Sequence, residues 1–454
     1  MTTRGWFRVH SFTGVITGLL LFVVCWSGTF ATISREIDWL VTPERRVVPQ
    51  AELATWGEVY ATAKAHAAEG EVRSLHAPLY ANSTYTAWIT YEDGNRTRLF
   101  VDPYSARITG ERSGFDVARF FRSFHMNLFM PDSWGYYVVG ATGITVLISM
   151  IAALFLYKRW WTRFFRFKRG AGRVLFSELH KTGGLWSLWF VLLVGVTGVW
   201  YLIEIAAGDL TGEYINFREP PALNAPEGEA PVDLNTLIES VRTARPTLDI
   251  RMIGWNDEGP QSNTLYVDGQ DRHLLVRDRA NKLYISENDG SILFDQAASD
   301  LSLYWRWIDT VDPLHFGDFA GLTTKLVWFV FGLGLSALIL TGTYLHAKRL
   351  TATGGSAARH RWPGTVAAVA ITLAVVASTI YFGFVQARDH YGVVIDGQRR
   401  FPVLAPGVSA FLIAWIGVTV GIILLWCRFL LGPWSVFNSG SGRARYSMGS
   451  IDSS

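Results

Sequence analysis

Six runs in this chain carry almost no charge over 20 or more residues, at roughly 11–34, 135–157, 181–205, 322–346, 364–385 and 404–430. About 20 apolar residues are what an α-helix needs to cross the ~30 Å hydrocarbon layer of a bilayer. With 454 residues, 50% hydrophobic and only 17% charged, the chain reads as a polytopic α-helical membrane protein with about six transmembrane helices. The basic residues cluster at alternate ends of the runs. Arg4 and Arg8 precede the first, "YKRWWTRFFRFKRGAGR" joins the second to the third, "HAKRLTATGGSAARHR" joins the fourth to the fifth, and Arg428, Arg443 and Arg445 follow the sixth. By the positive-inside rule these segments are cytoplasmic, which puts both termini inside and the long segments 35–134 and 206–321 outside. The first run is too long for a signal-peptide core and lacks a small-residue cleavage site, so it is expected to be an uncleaved anchor. Residues 158–180 are then a basic cytoplasmic loop and 431–454 a cytoplasmic tail.

The chain repeats itself. His10, Gly14 and Gly28 recur at one constant offset as His180, Gly184 and Gly198, while His125 and Lys158-Arg159 recur at a larger one as His315 and Lys348-Arg349. The offset grows within the external segments, where insertions are tolerated. Each half is span, external segment, histidine, span, in the same orientation, so a pseudo-two-fold axis along the membrane normal is expected. The last two spans stand outside the duplication. Both external segments read as small α+β units: a helix ("LATWGEVYATAKAHAA"; "DLNTLIESVRTARP", with Asp233 as N-cap) followed by strands and turns. A Pro-rich stretch, "FREPPALNAPEGEAPVD", opens the second. Cys25 and Cys427 lie in different spans and form no disulfide framework.

The four duplicated histidines carry the chemistry. His10 and His180 open spans one and three at the cytoplasmic ends, and His125 and His315 precede spans two and four at the external ends. Ionisable groups inside a membrane are costly unless partnered. One imidazole from each half, meeting across the pseudo-two-fold axis, would supply two axial nitrogens to one haem iron. Glycine four residues after His10 and His180 lies on the same helical face and would let a macrocycle approach; the alternative reading is close helix packing. His346, at the cytoplasmic end of span four, is a further ligand candidate in place of His10 or His180; the alternative is a helix-end histidine. Arg119, Arg122 and Arg306 lie just before the outer histidines as contacts for haem propionates or as solvated interfacial arginines. Tyr304, Trp305 and Trp307 read as an interfacial belt or a wall of the outer site. Glu204 is expected to be solvated at a span end, and His66, His76, His273, His360 and His390 to be surface residues. No H-x-x-x-H or H-E-x-x-H zinc spacing, no strand-borne G-x-G-x-x-G and no P-loop occurs.

A helix and meander ending in "VDPYSARITG" resembles a PepSY domain, and "DPLHFGDFAGLTTKLVWFVFGLGL" resembles the histidine motif of the PepSY-associated transmembrane family, a group of iron-regulated inner-membrane proteins that includes siderophore-iron reductases. The likeness covers roughly 8–349. The first hairpin departs from it with Ser105-Ala106 in place of the usual glycine, and "FHMNLF" is a looser second-span motif. The resemblance implies two PepSY-like periplasmic domains on an inner-membrane anchor. It further implies a reductase with haem b, expected as two groups, that passes electrons to a periplasmic ferric siderophore or other iron chelate. The donor would be a cytoplasmic reductase or quinol, and no nucleic acid is involved. The competing reading is a non-enzymatic PepSY module that binds, senses or regulates a protease; substrate transport is disfavoured by the lack of acidic relays in the spans.

Overall fold

A computed structural model describes residues 2–431 apart from 68, 169, 214, 216, 217, 219, 224, 227–230, 257, 258, 273, 274 and 355–361. His273, His360 and the tail from 432 onward therefore lie outside the described residues.

The first apolar run is two helices. α1 (Thr3–Ile16) and α2 (Gly18–Thr32) meet at Thr17 with a bend of 64°. Thr13 and Thr17 both turn their hydroxyls back to carbonyls four residues earlier, Val9 O at 2.9 Å and Thr13 O at 2.7 Å, a pattern that bends helices. α3 (Ser34–Val41) then leads out of the bundle to α4 (Trp56–Ala67) and strands β1 (Gly70–His76), β2 (Tyr85–Tyr91), β3 (Arg96–Val101) and β4 (Ile108–Ser113). A short helix, α5 (Val117–Asn127), returns to the bundle, and α6 (Trp134–Leu156) runs away from the sheet. The second half repeats this order. α7 (Arg173–Trp186) and α8 (Leu188–Thr211) are separated at Ser187, the position that matches Thr17 under the offset relating His10 to His180, so the break as well as the histidine is duplicated. α9 (Leu234–Ala244), β5 (Asp249–Asn256), β6 (Thr264–Gln270), β7 (Lys282–Ser286), β8 (Ile292–Gln296), the short α10 (Leu303–Phe316) and α11 (Gly321–Gly354) complete it. α12 (Pro363–Asp389), the hairpin β9 (Val393–Ile395)–β10 (Gln398–Arg400) and α13 (Pro406–Leu431) follow. Among the described residues, five helices are long and apolar enough to cross a membrane, six if the bent α1–α2 pair is one span.

The external segments, read as separate units, form one sheet. Its order is β4-β3-β2-β1-β5-β6-β7-β8, antiparallel throughout. Two four-stranded meanders join edge to edge at Ser74↔Gly254, Leu75↔Ile253 and His76↔Met252. That pairing removes an exposed edge from each meander, the position at which sheets otherwise recruit foreign strands. Alternation along β2 turns Tyr85, Ala87 and Ile89 inward, where Val59 of α4 and Leu237 and Val241 of α9 share a single core with Leu75 and Ile253. Asp233 caps α9 as expected, accepting from the Asn235 and Thr236 amides at 3.0 and 3.4 Å, and the Asn235 side chain accepts from Gly57 N of α4 at 3.0 Å.

The last two helices brace the first half and also bind α11 of the second. The amide of Asn95, in the β2–β3 turn, pairs with Val394 of the hairpin through N–H and C=O bonds of 2.7 and 3.2 Å. Trp26 of α2 donates to Thr419 of α13 at 2.9 Å, and Trp426 donates to Thr343 of α11 at 3.1 Å. Trp415 closes an aromatic cluster with Phe30, Phe120, Phe121 and Phe124.

Candidate functional site: two histidine pairs

The short helices α5 and α10 present His125 and His315 on the sheet side of the bundle. Each is fixed at its start by a side-chain cap, Asp116 accepting from Arg119 N at 2.8 Å and Ser302 from Trp305 N at 3.4 Å. Each ends just past its histidine in a left-handed residue, Leu128 (φ 54°) or Gly317 (φ 70°). Asp38 of α3 accepts from Val117 N and Ala118 N, both at 2.9 Å, and so fixes the first turn of α5 to the end of the first span. Gly317 has a second reason to be glycine: a Cβ there would collide with the Trp328 ring, which is 6% exposed and donates to Leu314 O at 3.0 Å.

The rings of His125 and His315 have centroids 6.0 Å apart and planes at 32°; those of His10 and His180 lie 6.2 Å apart with planes at 65°. Every pair thus takes one ring from each half. An imidazole nitrogen bonds a first-row metal at about 2 Å and its ring centre lies about 1 Å beyond, so two rings on opposite sides of one ion have centres roughly 6 Å apart.

All four rings are anchored through the same atom. Nδ1 of His10 lies 3.0 Å from Ser149 O and 2.9 Å from its hydroxyl. Nδ1 of His125 lies 2.9 Å from Val24 O and 3.4 Å from the Ser27 hydroxyl. Nδ1 of His180 lies 3.2 Å from Thr341 Oγ1, and Nδ1 of His315 lies 2.7 Å from Thr197 Oγ1. Ser27 and Thr197 are themselves matched by the offset that relates His10 to His180. A carbonyl oxygen can only accept, so at His10 and His125 the hydrogen sits on Nδ1 and Nε2 keeps its lone pair, the tautomer that binds metal. All four histidine residues are partly rather than fully buried. A Cβ at Gly184 would meet no atom within 4 Å, and one at Gly14 would meet only the Ser149 hydroxyl at 4.0 Å. Gly28, by contrast, is filled by a neighbour: a Cβ there would lie 2.6 Å from His125 Cε1. Among the described residues no cluster of three or more His, Cys, Asp or Glu side chains is arranged to hold a metal ion. The donor set is two imidazoles at each level, one from each half, which suits an equatorially ligated iron such as haem.

The remaining expected residues fall outside the pairs. His346 is buried against Trp362 and hydrogen-bonded to Arg349; its described contacts include neither His10 nor His180. Arg119 lies over Trp88 and Tyr391, and Arg306 donates to Ser299 O and Leu301 O, holding the loop before α10. Arg122 is exposed on α5. Trp307 packs on Trp200 and Tyr304 donates to Ile215 O. Glu204, expected to be solvated, is buried and accepts from Trp200 Nε1 at 2.5 Å. His66 pairs with Glu111 at 3.0 Å, His390 is exposed at the end of α12, and His76 sits within the β1–β5 seam.

Beside His315 lies a group the spacing did not point to. Tyr201 packs edge-on to the ring at 5.3 Å and donates its hydroxyl to Asp312, which also pairs with Arg277. Burial works against the Arg277 charge, but the Asp312 carboxylate outweighs it and holds the guanidinium above its usual range. Asp312 stands three residues before His315, one turn along the same helix face, which is the signal that could have found it.

The sequence profile of the PepSY-associated TM region matches residues 7–349. The chain is also 24% identical over 244 residues to the uncharacterized protein PA4219 of Pseudomonas aeruginosa, an alignment that covers 50% of this chain and 62% of that protein.

Proposed function

The chain belongs to the PepSY-associated TM region family, and on that footing we propose that it is a haem-containing reductase of the bacterial inner membrane that delivers electrons to a ferric chelate, such as an iron-loaded siderophore, outside. The observation that carries this reading is that each of the two histidine pairs takes one ring from each half, with every Nδ1 held by a protein oxygen.

Haem b would be held between His10 and His180 and between His125 and His315, and would supply one-electron redox chemistry at each level. The protein's part is to hold and to insulate. Ser149, Thr341, Val24 and Thr197 orient the four rings, and the anchored Nδ1 leaves Nε2 as ligand. From Ser27 to the break at Thr17 is about 15 Å of helix, so the two levels are separated within one bilayer thickness. The buried rings of Phe190 and Trp328 pack with Phe331 in the second half, and Trp189 covers them from the bundle surface. Basic residues Lys158, Arg159, Lys348 and Arg349 at the end away from the sheet support a cytoplasmic position for that end and a periplasmic one for the sheet. The Asp312–Arg277–Tyr201 group beside His315 sets the local charge on the substrate side.

Purified protein made with ample haem supply tests the reading. A pyridine haemochrome of two haems per chain, and anaerobic reduction of a ferric siderophore trapped as ferrous iron by a coloured chelator, are expected. A colourless protein would overturn it, as would haem content unchanged in the His125→Ala/His315→Ala double variant.

A further inference from the structure

At the end of the bundle away from the sheet, one buried group has no use in the site described. His346 on α11 is 6% exposed. Its Nδ1 lies 3.2 Å from an Arg349 guanidinium nitrogen. A guanidinium only donates, so Nδ1 accepts and the imidazole hydrogen is on Nε2. That Nε2 is buried and has no hydrogen-bond partner among the described residues. An unmet buried N–H is unfavourable and calls for an acceptor.

What surrounds it is flat and apolar. The Trp362 ring, at the start of α12, packs 4.7 Å from His346 with planes at 63°, and Phe12 of α1 packs edge-on against Trp362 at 6.5 Å. Arg349 is held over the face of Phe7 at 4.3 Å. Phe7 precedes His10 by three residues and shares its helical face; Phe12 follows His10 by two. Phe7 and Phe12 are 39% and 54% exposed, so the rim of this group opens on an apolar surface at the membrane level of His10. A water-soluble donor protein is recognised by exposed charge. A single buried N–H among aromatic rings, flanked by Phe7 and Phe12 side chains that are exposed on the bundle surface, fits a flat lipid-soluble ring that carries an oxygen acceptor.

We propose that His346, with Trp362, Phe12 and Phe7, binds the head group of a membrane quinol, which is the electron donor of the reductase; this rests on the reading given above. His346 Nε2–H donates to one ring oxygen and so places the quinol next to the turn that carries His10. Oxidation breaks the two quinol O–H bonds. The two protons leave to water at that face, the quinol becomes quinone, and the two electrons, taken one at a time at the His10–His180 level, reduce two ferric ions to ferrous.

Full-length protein in nanodiscs, photolabelled with an azido-benzoquinone, reads out the site without depending on haem. Label is expected on peptides of α1, α11 and the start of α12. It should be displaced by decyl-benzoquinone, fall about tenfold in His346→Leu, and be retained in His346→Gln, whose amide still donates. Phe12→Ala, at an exposed position that leaves folding intact, should weaken labelling several-fold and serves if His346→Leu does not fold. In parallel, decyl-benzoquinol should reduce the bound haem in stopped flow, and His346→Leu should slow this at least tenfold while dithionite reduction is unchanged. Labelling elsewhere, labelling indifferent to His346→Leu, or reduction by a flavoprotein but not by quinol overturns the proposal. A preparation without haem defeats the reductase reading, whereas labelling still decides the quinol site; a haem protein that dithionite reduces but that takes no label defeats the quinol site alone.

Discussion

Gly28→Ala perturbs one level of the site through a single methyl group. The added carbon would lie 2.6 Å from His125 Cε1 and 2.9 Å from its Nδ1. Carbon contacts settle at about 3.5–4.0 Å, so the ring must retreat by roughly 1 Å. Its tether, Nδ1 to Val24 O at 2.9 Å, comes from the same helix one turn earlier, and such a retreat takes it beyond the ~3.2 Å at which these bonds hold. Overpacking of this kind costs about 1–3 kcal/mol, while replacing glycine by alanine in a helix returns about 1 kcal/mol. The fold is therefore expected to survive with a net loss of roughly 0–2 kcal/mol. A metal bond does not survive, because ligand distances hold within about 0.2 Å. Haem-to-protein ratio and the low-spin signal of the purified variant are the assay, with two haems expected in the parent and one low-spin haem in Gly28→Ala. Gly184→Ala is the control: its Cβ meets no protein atom within 4 Å, so any loss of haem there reports a macrocycle lying on the helix. A Gly28→Ala protein with two low-spin haems at full occupancy would refute the reasoning.

Three further outcomes follow from the same geometry. Gly317→Ala combines a left-handed backbone at φ 70° with a collision against Trp328 and should cost about 2–4 kcal/mol; a melting temperature within a degree of the parent's would contradict it. Burial first, and the Arg35 charge second, hold His76 down at about 4 against an ordinary value of 6.5. The folded state therefore binds its proton less readily than the unfolded one, and the stabilisation, complete above pH 6.5, is lost as pH falls toward 4. Its size is at most about 3.4 kcal/mol, less for a ring that keeps some solvent contact; His76→Leu should flatten that acid slope in chemical unfolding, and an unaltered slope would count against it. Arg277→Ala leaves the Asp312 carboxylate unneutralised beside His315, so the midpoint potential of the sheet-side centre should fall while that of the far centre stays; equal shifts at both would contradict the assignment.

Much of the arrangement is legible in the residues because it is periodic. The apolar runs mark the helices, and the two constant offsets alone pair His10 with His180 and His125 with His315. What escapes is non-local or continuous with its surroundings. The break at Thr17 lies inside an unbroken apolar run, and only the back-bonded threonines mark it. The β1–β5 seam joins strands far apart in sequence, and nothing in either strand's alternation names its partner. Arg306 and Arg277 look alike on paper, but packing turns one to a loop carbonyl and the other to Asp312. His346 shares the residue type and depth of a ligand, and its neighbours Arg349 and Trp362 are what set it apart.

The most direct measurement is haem stoichiometry by pyridine haemochrome on the parent beside variants that remove one pair at a time. Two haems per chain, one in His125→Ala/His315→Ala and one in His10→Ala/His180→Ala, is the result the geometry calls for. A parent without haem, or pairs whose loss leaves the count unchanged, would contradict it.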